Sequence, residues 1–120
     1  MWYTVAMTTV QAIILGFIEG LTEFLPISST GHMILVSYFL NIKESVTLTT
    51  FQIVVQFGAI LAVIVTYYKK LFKVEMIKKL CVGFIPTGIV GVIVFPYIKH
   101  LLGNPLLVAF MLIIGGLVIL

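Results

Sequence analysis

Glu19 and Glu23 stand one helical turn apart, so a helix carries both carboxylates on one face. They lie in a chain that is 62% hydrophobic, where like charges repel and each loses its hydration. Such a pair persists only when one member holds a proton or a cation stands between them. A divalent metal with oxygen ligands, Mg2+ or Ca2+, is the simplest cation to expect at Glu19 and Glu23, and one carboxylate is then free to move protons. In a soluble protein two glutamates at this spacing would most simply face water. Their place inside an apolar stretch argues for chemistry instead.

Ser28, Ser29 and Thr30 follow Pro26, and Gly31 and His32 open the next apolar pattern. Hydroxyls there cap a helix start, and the free N–H groups at the same helix end suit a phosphate. A Ser/Thr cluster alone is more often only a cap. Gly31 allows a bulky anion to approach the backbone. His32, in the first turn and across a bend from the glutamates, can donate a proton, accept one or contact a phosphate oxygen. Further on, Gln56 is a supporting residue, read first as a hydrogen-bond partner between helices and second as a ligand.

These groups must be held by helices in lipid. With 9% charged residues and a mean hydropathy of +1.28, the 120-residue chain cannot cover a water-facing surface. Residues 51–68, and 81–98 with its internal Pro86, are long enough to cross about 30 Å of hydrocarbon. Residues 5–18 and 33–40 are too short and flank a polar centre, which fits a re-entrant hairpin over 5–40. Residues 105–120 follow a Gly-Asn-Pro turn and stop without a polar flank, an incomplete transmembrane helix in a single membrane domain that reads as truncated. The expected class is an all-α integral membrane protein. Lys69, Lys70, Lys73, Lys78 and Lys79 place their loop in the cytoplasm, leaving the N-terminus, residues 41–50 and the hairpin mouth toward the outer face.

The net charge of +3 does not indicate nucleic acid, because the seven basic residues are all lysine and five of them lie in that loop. Cys81 is the single cysteine, which excludes an intrachain disulfide and reads as packing. The start Met-Trp-Tyr-Thr lacks the basic region of a signal peptide. Gly58, Gly88, Gly91, Gly115 and Gly116 read as close-packing positions, and Pro86 as a kink.

The run Glu19-Gly-Leu-Thr-Glu23-Phe-Leu-Pro-Ile-Ser28-Ser29-Thr30-Gly31-His32-Met closely resembles the first signature of the undecaprenyl-diphosphate phosphatase family linked to bacitracin resistance. The stretch Phe51-Gln-Ile-Val-Val-Gln56-Phe-Gly-Ala-Ile-Leu-Ala-Val is similar to that family as well. The resemblance implies a bacterial cell-membrane hydrolase, multi-pass in the inner membrane, that converts undecaprenyl diphosphate to undecaprenyl phosphate and phosphate for peptidoglycan synthesis. It implies a divalent metal and an inverted-repeat fold, of which this chain is the first portion. Carried over by motif position, Glu19 and Glu23 are the acidic pair, Ser28, Ser29, Thr30 and Gly31 the phosphate loop, and His32 an acid/base group or nucleophile. Ser29 is preferred to His32 as nucleophile, although spacing leaves both open. Members of the family are longer and carry a later Pro-Gly-x-Ser-Arg-Ser-Gly motif, whereas this chain has no arginine. The missing C-terminal repeat, or a second copy, is therefore the expected protein partner. A fragment of a polyprenyl-phosphate carrier transporter and an inactive remnant are the competing readings.

Overall fold

The computed structural model describes residues 7–120, except for the side chains of Lys99 and His100. The expectations for the first residues of the hairpin arm at 5, for the absence of a basic leader and for the side of the N-terminus lie outside the described residues. Five helices account for the rest: α1 Thr9–Thr22, α2 Ser29–Phe39, α3 Val46–Leu71, α4 Val74–Leu102 and α5 Pro105–Ile119. No strand occurs among the described residues.

α1 begins in a capping box. The Thr8 hydroxyl accepts from Gln11 N at 3.3 Å, and Gln11 Oε1 accepts from Thr8 N at 2.9 Å. The same glutamine donates through Nε2 to the Leu40 carbonyl at 3.2 Å, fastening the start of α1 to the end of α2. α1 ends at Thr22, four residues before Pro26, and the chain returns through residues 23–27. α2 ends where Asn41 takes a left-handed conformation, φ 53°, and its N–H returns to the Tyr38 carbonyl. Two helices of 14 and 11 residues span about 21 and 16 Å, too short to cross a bilayer alone. Over the described residues they pack against each other as a helical hairpin.

Leu15 of α1, Met33 of α2 and Leu48 of α3 are buried together, with Val36, Ile42, Phe51 and Val55 packed against them. This cluster seats the hairpin on the first half of α3. Beyond it the chain turns its apolar side chains outward: Phe57, Val65, Phe84, Val92 and Phe95 are all exposed. Within the apolar stretch of α4 none of the described residues is buried in the chain. At 26 and 29 residues, α3 and α4 reach about 39 and 43 Å, more than the hydrocarbon thickness. Water would not solvate such surfaces; lipid does.

Several expectations change. α3 and α4 run past the predicted 51–68 and 81–98 at both ends, and the basic loop shrinks to Phe72 and Lys73. Lysine and glutamate are good helix formers, and Glu75 pairs with Lys79 at 3.0 Å along α4. α4 continues as one helix through Pro86 and Pro96. The Thr87 hydroxyl donates to the Gly83 carbonyl at 2.9 Å, beside the Val82 carbonyl that Pro86 cannot serve. Cys81 is exposed rather than packed. At Gly58, Gly91, Gly115 and Gly116 an added Cβ would meet nothing within 4 Å, and at Gly88 only its own helix neighbour Phe84 at 3.8 Å. None of the five is therefore packed against another helix among the described residues; Gly115 and Gly116 face the open cleft between α5 and the hairpin.

Candidate active site

The hairpin turn assembles most of the residues singled out above. α1 keeps helical geometry through its cap residue Glu23, whose N–H bonds the Glu19 carbonyl at 2.9 Å. Glu19 and Glu23 therefore do share a face. Glu19 is only 2% exposed, and neither carboxylate oxygen has a hydrogen-bond partner among the described residues. A buried carboxylate without donors is tolerable only with a proton on it or a cation against it. Glu23, less buried, accepts a short hydrogen bond at Oε2 from the Ser29 hydroxyl across the turn. Carboxylate and hydroxyl thus meet as a base and a nucleophile must.

Ser28 sits in the left-handed region, φ 61° and ψ 89°, a conformation that costs a non-glycine residue about 1–3 kcal/mol. Three bonds hold it there. Its hydroxyl accepts from Gly31 N at 3.3 Å, and its carbonyl accepts from His32 N at 3.2 Å and from the His32 ring Nδ1 at 2.9 Å. A carbonyl only accepts, so Nδ1 carries the proton, and in the neutral ring Nε2 is left as the base. The N–H groups of Ser29 and Thr30 begin the helix and have no helical carbonyl one turn back. They and the positive end of α2 suit an anion.

Gly31 has a use the sequence did not reveal. A Cβ there would lie 3.1 Å from Leu112 Cδ2 and 3.3 Å from Ser28 Oγ, so its open side receives α5. The glycine lets α5 pack on α2 without displacing the cap. Gln56 donates to Thr30 Oγ1 at 2.7 Å, the contact between helices that its polarity within an apolar helix suggested. Gln56 lies ten residues into α3, so Thr30 is held about 15 Å from the start of that helix, half the thickness of a hydrocarbon core. Beside the turn, a cleft of about 510 Å³ runs between the hairpin and α5. Ser28 and His32 line one part of it and Leu35, Leu112, Ile113 and Ile119 another.

Sequence reasoning missed Gln11, although Thr-x-x-Gln is a readable capping box. It also missed Ser37, 4% exposed with an unpartnered hydroxyl. A serine on a short apolar helix gives no signal of that kind. Among the described residues no group of three or more His, Cys, Asp and Glu is gathered to hold a metal. The two glutamates are therefore the only acidic donors here, and further oxygens would come from a bound phosphate and water, a common arrangement for Mg2+.

Lipid-facing helices around a hairpin that joins a buried acid, a serine–carboxylate pair and a helix N-terminus define a helical membrane protein with a polar cluster inside an apolar fold. Residues 12–120 match the family described as bacitracin resistance protein BacA, and the chain belongs to that family. It is 50% identical over 113 residues to a protein named undecaprenyl-diphosphatase from Sulfurihydrogenibium sp., covering 94% of this chain and 44% of that relative. Proteins of the same name from Aquifex aeolicus and Bdellovibrio bacteriovorus are 47% and 46% identical, each over 94% of this chain and 45% and 43% of their own lengths. The chain thus spans less than half the length of these curated relatives. No solved structure matches it.

Proposed function

We propose that this chain supplies the acidic and nucleophilic part of an undecaprenyl-diphosphate phosphatase. The observation that carries the reading is the Ser29 hydroxyl donating to the Glu23 carboxylate at the N-terminus of α2. Ser29 Oγ attacks the terminal phosphorus while Glu23 takes its proton, and the bond to the bridging oxygen breaks to release undecaprenyl phosphate. Glu23 passes that proton to the departing oxygen; water then attacks the phosphoserine, and Glu23 takes the water's proton and returns it to Ser29 Oγ, giving phosphate and restoring Ser29. His32 Nε2 is free to hold a proton beside the leaving oxygen. The Ser28, Ser29 and Thr30 hydroxyls and the N–H groups of Ser29 and Thr30 receive the phosphate oxygens.

Glu19 and Glu23 would hold a divalent metal, Mg2+ or Ca2+, and the unpartnered oxygens of buried Glu19 fit that role. Bound there, it would offset charge on the diphosphate. The cleft that begins at Ser28 and His32 and is lined further by Leu35, Leu112 and Ile113 suits an isoprenyl chain leaving the site toward lipid. The name that the relatives carry and the family match support the substrate class. On this reading the hairpin is re-entrant, its mouth opens to the outer face of a bacterial inner membrane, and the lysines at the α3–α4 junction lie in the cytoplasm. The remaining repeat of an inverted-repeat fold completes the site with its arginine, and the released monophosphate returns to peptidoglycan synthesis.

The test is a full-length form made by continuing residues 1–120 with the remainder of the Sulfurihydrogenibium relative. Phosphate release from undecaprenyl diphosphate in detergent, dependent on Mg2+ or Ca2+ and lost with Ser29→Ala, is the expected result. Binding of the lipid without phosphate release would favour a carrier transporter instead.

A further inference from the structure

Four threonines in this chain can be compared directly. Thr22, Thr66 and Thr87 each return the hydroxyl proton to the carbonyl four residues back, at 2.7, 2.7 and 2.9 Å. Such a bond uses the proton up within the helix. Thr30 differs. It lies in the first turn of α2, where the residue four back is Pro26 in the hairpin bend, and it accepts from Gln56 Nε2 at 2.7 Å. An amide nitrogen only donates, so the oxygen of Thr30 is the acceptor and its own proton must point elsewhere. Among the described residues no hydrogen bond takes that proton.

The neighbouring groups say where a donor is useful. Ser29, the preceding residue, gives its proton to Glu23, and the Ser28 hydroxyl is committed as acceptor to Gly31 N. The Ser28 and Thr30 hydroxyls both keep a proton that no described residue accepts, and of the two it is Thr30 whose oxygen is pinned from outside the hairpin. Gln56 lies 26 positions away on α3, a helix that contributes no other group to the turn described above. We propose that Gln56 is a positioning residue: it fixes the Thr30 hydroxyl as a hydrogen-bond donor toward the phosphate at the N-terminus of α2, and through it sets the affinity of the site for the terminal phosphate. The proposal rests on the phosphatase reading. It also ties α3 to the site, so that the depth of the hairpin against α3 and the geometry of the phosphate loop are set together.

The experiment uses the full-length form just described, with Gln56→Leu, Thr30→Val and the double substitution. Three quantities are measured: kcat, KM for undecaprenyl diphosphate and the inhibition constant of orthophosphate. KM and the inhibition constant do not depend on how much of a preparation is folded, so a merely structural role for Gln56 would move kcat alone. The expected result is a rise of about tenfold in the phosphate inhibition constant for Gln56→Leu, the scale of one hydrogen bond to a charged group. Thr30→Val should show the same rise and the double variant no more than either, because both remove one interaction. Thr30→Ser, which keeps the hydroxyl, should retain the dependence on Gln56. Unchanged KM and inhibition constant in Gln56→Leu, or additive losses in the double variant, would overturn the assignment while leaving the phosphatase reading intact. A parent form with no turnover would overturn both.

Discussion

Replacing Glu23 with glutamine isolates proton transfer from geometry. The side chain keeps its length and shape, and its amide oxygen can still accept from Ser29 across the turn, so the pairing of the two arms survives. What is lost is a group able to take the proton as Ser29 attacks. A positioned general base contributes about 10²–10⁴ in rate, or roughly 3–5 kcal/mol at 1.36 kcal/mol per tenfold. Glu23→Gln in the full-length form should therefore lower kcat by at least about a hundredfold. Glu23→Asp keeps the acid but withdraws it by one methylene, and a misplacement of about 1 Å costs on the order of a hundredfold as well. Insertion rests on the apolar lengths of α3 and α4, which neither change touches. In a Ser29→Ala background Glu23→Gln should cost little more, since the two act as a unit. The assay is phosphate release at saturating lipid and Mg2+, normalised to protein recovered from membranes. Turnover within about threefold of the parent in Glu23→Gln would remove Glu23 as the base, the smallest general-base factor being about a hundred.

Gly31→Ala should lower the melting temperature in detergent, because its Cβ would stand 3.1 Å from Leu112 Cδ2; overpacking costs about 1–3 kcal/mol, offset by about 1 kcal/mol of helix propensity. Leu112→Ala added to it should recover part of the loss, and no recovery would mean that the Ser28 cap is what the methyl disturbs. In a Cys81→Ser background, cysteine at position 44 should label from the outer face and cysteine at position 70 from the cytoplasm; labelling of position 44 from the cytoplasm alone would sink the re-entrant orientation. The 120-residue chain alone, in detergent with Mg2+ or Ca2+, should release no appreciable phosphate, whereas turnover lost with Ser29→Ala and Glu23→Gln would show that two copies suffice.

The hairpin was legible in the sequence because short apolar arms around a polar centre have few physical solutions in lipid. The one-turn spacing of Glu19 and Glu23 likewise fixed their common face. What spacing could not convey was which hydroxyl meets which carboxylate. That depends on the left-handed bend at Ser28 and on how far the chain folds back over residues 23–27. The packing role of Gly31 was hidden for a similar reason: its neighbour Leu112 comes from α5, and no local pattern announces a contact across 81 positions of sequence. Helix ends at the lysine-rich junction were drawn too early because hydropathy marks the apolar span, whereas lysine continues a helix readily and carries its charge out on a long stem.

On the phosphatase reading, the placement of charge says how much of the site's positive charge residues 1–120 would supply. Gln56 marks the depth of the phosphate loop on α3, and Lys69 lies thirteen residues further along the same helix, about 20 Å away. At an effective dielectric of about 20 a unit charge at that distance contributes roughly 0.8 kcal/mol, and salt reduces it further. The N-terminus of α2 supplies about half a unit of positive charge close by. Against these stand two glutamates and a multiply charged diphosphate in one low-dielectric turn, where a like pair at 4 Å already costs about 4 kcal/mol at the same dielectric. Lysines at the α3–α4 junction are therefore too far away to serve the site. The missing positive charge must come within a few ångströms of Glu19 and Thr30, and the two sources that fit are a divalent ion against the unpartnered Glu19 oxygens and a guanidinium brought from outside residues 1–120. On that reading a metal held by Glu19 and Glu23 would neutralise the glutamates, and a planar donor would hold two phosphate oxygens beside Ser29.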